Sequence, residues 1–208
     1  MNRTLIVGAS SRIAQSIVDL LLRSDPHAEI ACVSRSCETL KADHGDRIQC
    51  FTSDYSENSI SGIVENLDSW RGTIARVLIC NGLLHDDTTY LEKRLEELEP
   101  DNLTRLFQVN ALIPLLWVKH LLPLLKGRER CVLLVFSARV GSIADNRRGG
   151  WYGYRGSKAA LNMMLKSAAL EYRRRAGNVE LLVVHPGTTD TPLTRTFQNS
   201  VPREQLFS

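Results

Sequence analysis

The sequence is poor in the residues that mark most specialised chemistries. Aromatic side chains make up 6% of its 208 residues, too few to interleave with basic clusters as a nucleic-acid surface requires. The formal net charge is only +3, and the one basic run, Arg173-Arg174-Arg175, precedes Gly177, where cations complement a helix C-terminus. No nucleic-acid partner is expected. The five cysteines, Cys32, Cys37, Cys50, Cys80 and Cys131, are odd in number and contain no Cys-x-x-Cys pair. With histidines scattered along the chain, neither a disulfide framework nor a metal site is expected. No window holds ~18 uninterrupted apolar residues. Met1 to Ile6 runs straight into a strand-like segment with no apolar core of secretory length. These absences predict a cytoplasmic protein with no membrane partner.

What remains is ordinary globular material, 43% hydrophobic and 24% charged, long enough for one domain over residues 1–208 with a sizeable core. Short apolar runs at Thr4–Val7, Ile30–Ser34, Ile48–Phe51, Val77–Cys80, Cys131–Phe136 and Val179–Val184 read as buried parallel strands. Helical patterns fill the gaps: a stripe of Ile13, Ile17, Leu20 and Leu21, another of Ile60, Ile63, Val64 and Leu67, a long apolar helix from Leu103 to Leu125, and one from Tyr154 to Arg175. Pro114 and Pro123 should bend or end the long helix. The alternation predicts an α/β doubly wound parallel sheet with ligand bound outside the C-terminal ends of its strands.

Within Tyr152-Gly-Tyr-Arg-Gly-Ser-Lys, Tyr154 and Lys158 stand four apart, which puts a phenol and an ammonium on one helix face. A nearby cation favours phenolate and draws the tyrosine's proton exchange toward neutral pH, which suits the acid of a carbonyl reduction. Tyr154 has a lysine four residues on; Tyr55, Tyr90, Tyr152 and Tyr172 do not. The turn Val7-Gly-Ala-Ser-Ser-Arg-Ile-Ala follows the first strand and opens a helix, so Gly8 makes the tight turn. The N–H groups from Ser10 to Ile13, including Ser11 and Arg12, then face a pyrophosphate. The other reading is a plain strand-to-helix connection capped by serine. At the end of the second strand Arg35 stands where an acidic residue would hold an unmodified ribose, which favours a 2′-phosphate and hence NADP(H).

Taken together these residues resemble the short-chain dehydrogenase and reductase family from about residue 4 to 200. The glycine turn and Arg35 carry the resemblance with Asp54, similar to the family's adenine contact, and Cys80-Asn81-Gly82, similar to its Asn-Ala-Gly motif. So do Asn110, similar to the asparagine of the long helix, and His185-Pro-Gly-Thr-Thr-Asp-Thr, similar to the loop over nicotinamide. Ser137-Ala-Arg-Val-Gly-Ser-Ile with Gly149-Gly-Trp-Tyr-Gly-Tyr resembles the C-factor subgroup, near the sniffer-type carbonyl reductases. The resemblance implies a Rossmann fold and an NADP(H)-dependent oxidoreductase acting on a small carbonyl or secondary alcohol, while the apolar surfaces of the helices around Leu112–Leu125 and Ala159–Leu170 predict a homodimer or tetramer. It implies that Lys158 holds ribose hydroxyls and lowers the Tyr154 pKa. Asn110 locks a water or carbonyl in a proton relay, or is a structural amide, and Pro186, Gly187, Thr188 and Thr191 contact the carboxamide and pyrophosphate.

Three departures qualify the resemblance. Arg12 and Ala14 replace the second and third glycines of the turn, and a positive φ at Arg12 would cost ~1 kcal/mol or more. Ala138 aligns with the family's catalytic serine, one residue after Ser137; strand alternation aims Ser137 away unless a bulge intervenes, with Ser142 as a second candidate. Ser137 is the expected catalytic serine. The family's final helix and strand are not found before Ser208, so either the tail continues elsewhere or the sheet has an edge that needs covering. The Ala138 and Arg12 changes also admit an NADP-binding regulatory or signalling protein with little turnover.

Overall fold

The computed structural model describes residues 3–191, 194–195 and 206–207. Six strands, β1 (Arg3–Val7), β2 (Glu29–Ser34), β3 (Gln49–Thr52), β4 (Ile74–Ile79), β5 (Cys131–Phe136) and β6 (Val179–Val184), form one parallel sheet in the order β3-β2-β1-β4-β5-β6. Each expected strand is present, within a few residues of its expected ends. Because the chain runs β1-β2-β3 in one direction and restarts at β4 on the other side of β1, the β1/β4 boundary is the switch point at which a ligand crevice opens.

Strand side chains alternate between two cores, as a pleated sheet dictates. Leu5, Val7, Val33, Val77, Ile79 and Leu133 face α3 (Glu57–Asn66), α5 (Ile113–Leu125) and α6 (Tyr152–Arg175). Ile6, Ile30 and Cys32 face α1 (Arg12–Ser24) and α2 (Glu38–His44). The second core fades toward β6, where Leu182 and Val183 are 37% and 39% exposed, and among the described residues no strand lies beyond that edge. Two short pieces, β7 (Thr188–Thr189) and β8 (Leu206–Phe207), pair in parallel beyond the end of β6.

Two helical expectations change. In α1 the buried positions are Ala14, Val18 and Leu22, with Leu20 58% exposed. The true stripe runs i, i+4, i+8 from the small residue beside the first turn, and Ile17 and Leu21 only flank it. The long helix starts earlier, with Pro100 in its first turn, as α4 (Pro100–Phe107). It widens into a π-type turn at Gln108–Leu112 and continues as α5 through Pro123 to Leu125. Pro114 cannot donate to the carbonyl of Asn110, and the widened turn sits where that hydrogen bond is missing. Pro123 does not end the helix. Pro100–Leu125 is long and apolar enough to cross a membrane, yet half of its most apolar window is buried inside this fold.

Candidate active site

The turn after β1 is built around Gly8. Its φ is +77°, and a Cβ there would lie 2.9 Å from the Asn81 nitrogen and 3.0 Å from the Cys80 carbonyl carbon, so glycine permits both the left-handed backbone and contact with the end of β4. Gly8 and Ala9 N–H groups donate to the Val33 carbonyl at 3.0 and 2.9 Å, tying the turn to β2. Ser11 caps α1 by accepting from Ala14 N at 3.2 Å. Arg12, first residue of α1, has no positive φ, so the anticipated strain is absent. Ser10 and Arg12 are exposed at the mouth of the turn, and Ile13 is half-buried.

Whether a dinucleotide fits can be judged from unsatisfied groups. Asn81 Oδ1 and Ser34 Oγ are buried without a hydrogen-bond partner at the ends of β4 and β2, on either side of the Gly8 turn. Orphan acceptors and hydroxyls at a crevice fit a polar ligand. Arg35 is exposed just beyond Ser34. Asp54 is exposed and accepts from Ser56 N at 2.8 Å; hydrogen bonds from Ser56 hold its carboxyl below the usual range. Tyr55, which the sequence did not single out, closes this side with φ +63°. Burial pushes its phenol up, and the neighbouring Asn81 side chain, Arg35 charge and Gly8 backbone oppose that rise. Nothing in its local sequence signals that role.

The second half of the site centres on α6. Tyr154 and Lys158 are 8% and 3% exposed, with Lys158 Nζ 6.0 Å from the tyrosine ring centre. Lys158 Nζ donates to the Phe136 carbonyl at 3.2 Å. Burial pushes Tyr154 up to about 12 and Lys158 down to about 8. The expected lowering of Tyr154 by the lysine is therefore outweighed in this chain by desolvation, which favours the neutral form of both groups. A Cβ on Gly82 would lie 3.8 Å from Asn110 Oδ1 and 3.9 Å from Lys158 Nζ, so Gly82, Asn110 and Lys158 surround one small space.

Asn110, fully buried in the π turn, accepts from Leu83 N and donates to Leu83 O, both at 2.8 Å, and donates to Ser157 Oγ at 3.2 Å. These bonds pin the segment after β4, as the structural reading of this residue requires, and Oδ1 keeps a second acceptor position. Ser157, absent from the expected set, passes the link on by donating to the Tyr154 carbonyl at 2.9 Å. The Ser137 hydroxyl donates to Asn162 Oδ1 at 2.6 Å, while Ala138 packs against the cluster that contains Tyr154. The residue expected to be catalytic thus faces α6 one turn beyond Lys158. Strand alternation without a bulge puts the methyl of Ala138 where a serine would meet the tyrosine. Asn162, four residues after Lys158, was recoverable from helical spacing. Ser142 Oγ accepts from Asp145 N at 3.4 Å in its own loop.

Beyond β6, burial and the Arg139 charge lower the His185 pKa. Pro186, Gly187 and Thr188 are half-buried, and a Cβ on Gly187 would run into the Phe207 ring. Thr191 N–H donates to Thr194 Oγ1 at 3.3 Å. Residues 192–193, 196–205 and 208 lie outside the described residues.

The parallel sheet with a crevice at its C-terminal ends and the Tyr154–Lys158 pair on one face of α6 are parts the sequence pattern foretold, and the orphan polar atoms at the β1/β4 switch add to them. The family model of the short chain dehydrogenases matches residues 2–201. The chain belongs to that family and is one of its oxidoreductases. It is 29% identical over 197 residues to the 1-hydroxy-2-glutathionyl-2-methyl-3-butene dehydrogenase of Rhodococcus sp. (strain AD45), covering 95% of this chain and 82% of that one. It is 42% identical over 100 residues to the C-signal protein of Myxococcus xanthus, covering 48% of this chain and 58% of that one. Among solved structures it is similar to a short-chain dehydrogenase/reductase of Burkholderia multivorans with bound NADP, with TM-score 0.76, 26% identity, and coverage of 92% and 81%.

Proposed function

We propose that the protein transfers hydride between NADP(H) and a small carbonyl compound or its secondary alcohol, with Tyr154 as the proton donor in the reducing direction. The observation that carries this is the buried Tyr154–Lys158 pair beside Gly82. When bound, a reduced nicotinamide would supply the hydride that the carbonyl carbon accepts. Tyr154, held up to about 12 by burial, keeps its proton at neutral pH and releases it to the far more basic alkoxide oxygen as that oxygen develops charge. Lys158, brought down to about 8 beside the tyrosine ring, takes up and releases a proton near neutrality.

The chain's own residues divide the holding of the cofactor. Gly8, Ser10, Ser11, Arg12 and Ile13 offer the turn and helix N-terminus to the pyrophosphate. Arg35 receives the 2′-phosphate, Asp54 the adenine, Asn81 and Gly82 the adjoining ribose, and Lys158 the nicotinamide ribose. Thr188 and Thr191 follow Pro186-Gly187 over the ring. The NADP bound by the Burkholderia relative supports the phosphate assignment, and Phe107, Leu112, Met163 and Leu170, 38–69% exposed, support a homodimer across α4–α6. Light scattering of the full chain at micromolar concentration tests the dimer, and a monomer there rejects it. The decisive experiment follows NADPH absorbance against a panel of aldehydes and ketones, and NADP reduction by alcohols that include a glutathione conjugate. Tight NADPH binding with no turnover across the panel overturns the enzymatic proposal.

A further inference from the structure

Helix α6 carries Tyr154 in its first turn, yet its own sequence does little to secure that turn. The N-cap position is Trp151, in a left-handed conformation (φ 55°, ψ 43°) with no side-chain cap, and the first turn contains no acidic residue. Gly149 and Gly150 before it also have positive φ, 65° and 64°. A helix start of this kind leaves N–H donors in need of partners in a buried place.

We propose that Glu92 is a positioning residue for Tyr154: its carboxylate provides from a distant loop the N-terminal cap that α6 lacks, and so fixes the turn on which the tyrosine rides. The proposal rests on the proton-donor reading of Tyr154 given above. Glu92 is fully buried. Its Oε2 accepts from Gly153 N at 3.3 Å, across 61 residues of sequence, and its main-chain oxygen accepts from Trp151 N at 2.5 Å. A Cβ on Gly153 would sit 2.9 Å from Glu92 Oε1 and 2.6 Å from Leu106 Cδ1, so glycine at that position lets the carboxylate approach. A buried carboxylate is costly unless hydrogen-bonded, and a helix N-terminus is where its charge is favourable.

The chemistry of position 92 is specified further by Asn102. Its Oδ1 accepts from Tyr90 N and its Nδ2 donates to Tyr90 O, both at 3.1 Å, which fixes the orientation of the amide. Asn102 Nδ2 then donates to Glu92 Oε1 at 2.7 Å. Both oxygens of Glu92 therefore face donors. A glutamine has one acceptor and one NH2 at these positions, so one contact becomes donor against donor even though shape is conserved. Glu92 makes no hydrogen bond to Tyr154 itself, which separates it from the reacting groups.

The test compares the full-length chain with Glu92→Gln and, in case that variant folds poorly, Asn102→Ala, which removes the orienting donor and leaves the carboxylate. Hydrogen exchange by mass spectrometry reads the first turn of α6 directly, NADPH fluorescence gives cofactor affinity, and kcat and KM are taken with a carbonyl that the wild type reduces. For Glu92→Gln we expect exchange at the first turn about tenfold faster or more, with the C-terminal half of α6 unchanged. We expect kcat about tenfold lower with NADPH affinity within about threefold, and the same pattern, smaller, for Asn102→Ala. Unchanged first-turn exchange, or kcat falling only in step with NADPH-binding stoichiometry as a loss of folded protein would produce, overturns the proposal. A wild type that reduces nothing rejects the oxidoreductase reading instead, and the exchange measurement still decides whether Glu92 holds the turn.

Discussion

The two sides of the crevice are built by different means. On the side of β1, β2 and β4, backbone shape does the positioning: Gly8 permits contact with Cys80 and Asn81, and orphan polar atoms on Asn81 and Ser34 flank the turn. On the side of β5 and α6, side-chain direction decides, and one residue of offset turns the Ser137 hydroxyl onto Asn162 while Ala138 meets the Tyr154 cluster. A backbone cradle tolerates changes such as Arg12 and Ala14, because N–H groups remain whatever the side chain. A hydroxyl on a strand does not tolerate a shift by one, because successive residues point to opposite faces. The cofactor side should accordingly behave like the family's and the substrate side should not.

Tyr154→Phe gives the sharpest separation of the two sides. Turnover should fall by ~10² or more with NADPH affinity little changed, whereas Lys158→Ala, which touches both sides, should damage both. Steady-state kinetics with a fluorescence titration of NADPH check this, and a fully active Tyr154→Phe protein breaks the assignment.

Lys158 also carries a pH signature. Its pKa is lowered from 10.5 to about 8 by burial, so between those values the unfolded chain binds the proton and the folded chain does not. Stability from this residue therefore rises with pH across that window. Lys158→Met should stabilise the free protein below pH 8, by at most roughly 3 kcal/mol, and the gain should vanish toward pH 10.5. Denaturant unfolding at several pH values measures it. A gain that grows with pH would contradict the burial of a charged lysine.

Arg35→Asp probes the cofactor side alone. NADPH should bind the wild type at least ~10-fold more tightly than NADH, about 1.4 kcal/mol, with the preference reversed in the variant. Equal affinities in the wild type remove the 2′-phosphate assignment.

The smallest expected effect tests the substrate side. Ala138→Ser places a hydroxyl against the Tyr154 cluster and should raise turnover by a few-fold to ~10-fold, short of what a fully formed oxyanion donor contributes. Ser142→Ala should leave turnover unchanged. The effect of Ser137→Ala then measures how far its hydroxyl leaves Asn162 for the substrate; a loss of ~10² would return Ser137 to the catalytic set.

Much of this was legible in the chain. The six strands, their parallel direction and a ligand site at their C-terminal ends follow from short apolar runs alternating with helical stripes, since local pattern reports which faces must be buried. The Tyr154–Lys158 pair was readable because four residues is a helical neighbour distance whatever the surroundings. Tertiary structure alone decided the rest. The dominance of burial over the lysine charge at Tyr154 depends on what packs around the ring, and the roles of Tyr55, Ser157 and Glu92 depend on contacts between segments far apart in sequence. Periodicity specifies which way a side chain points from its own element, and the partner it meets there is set only when the elements pack.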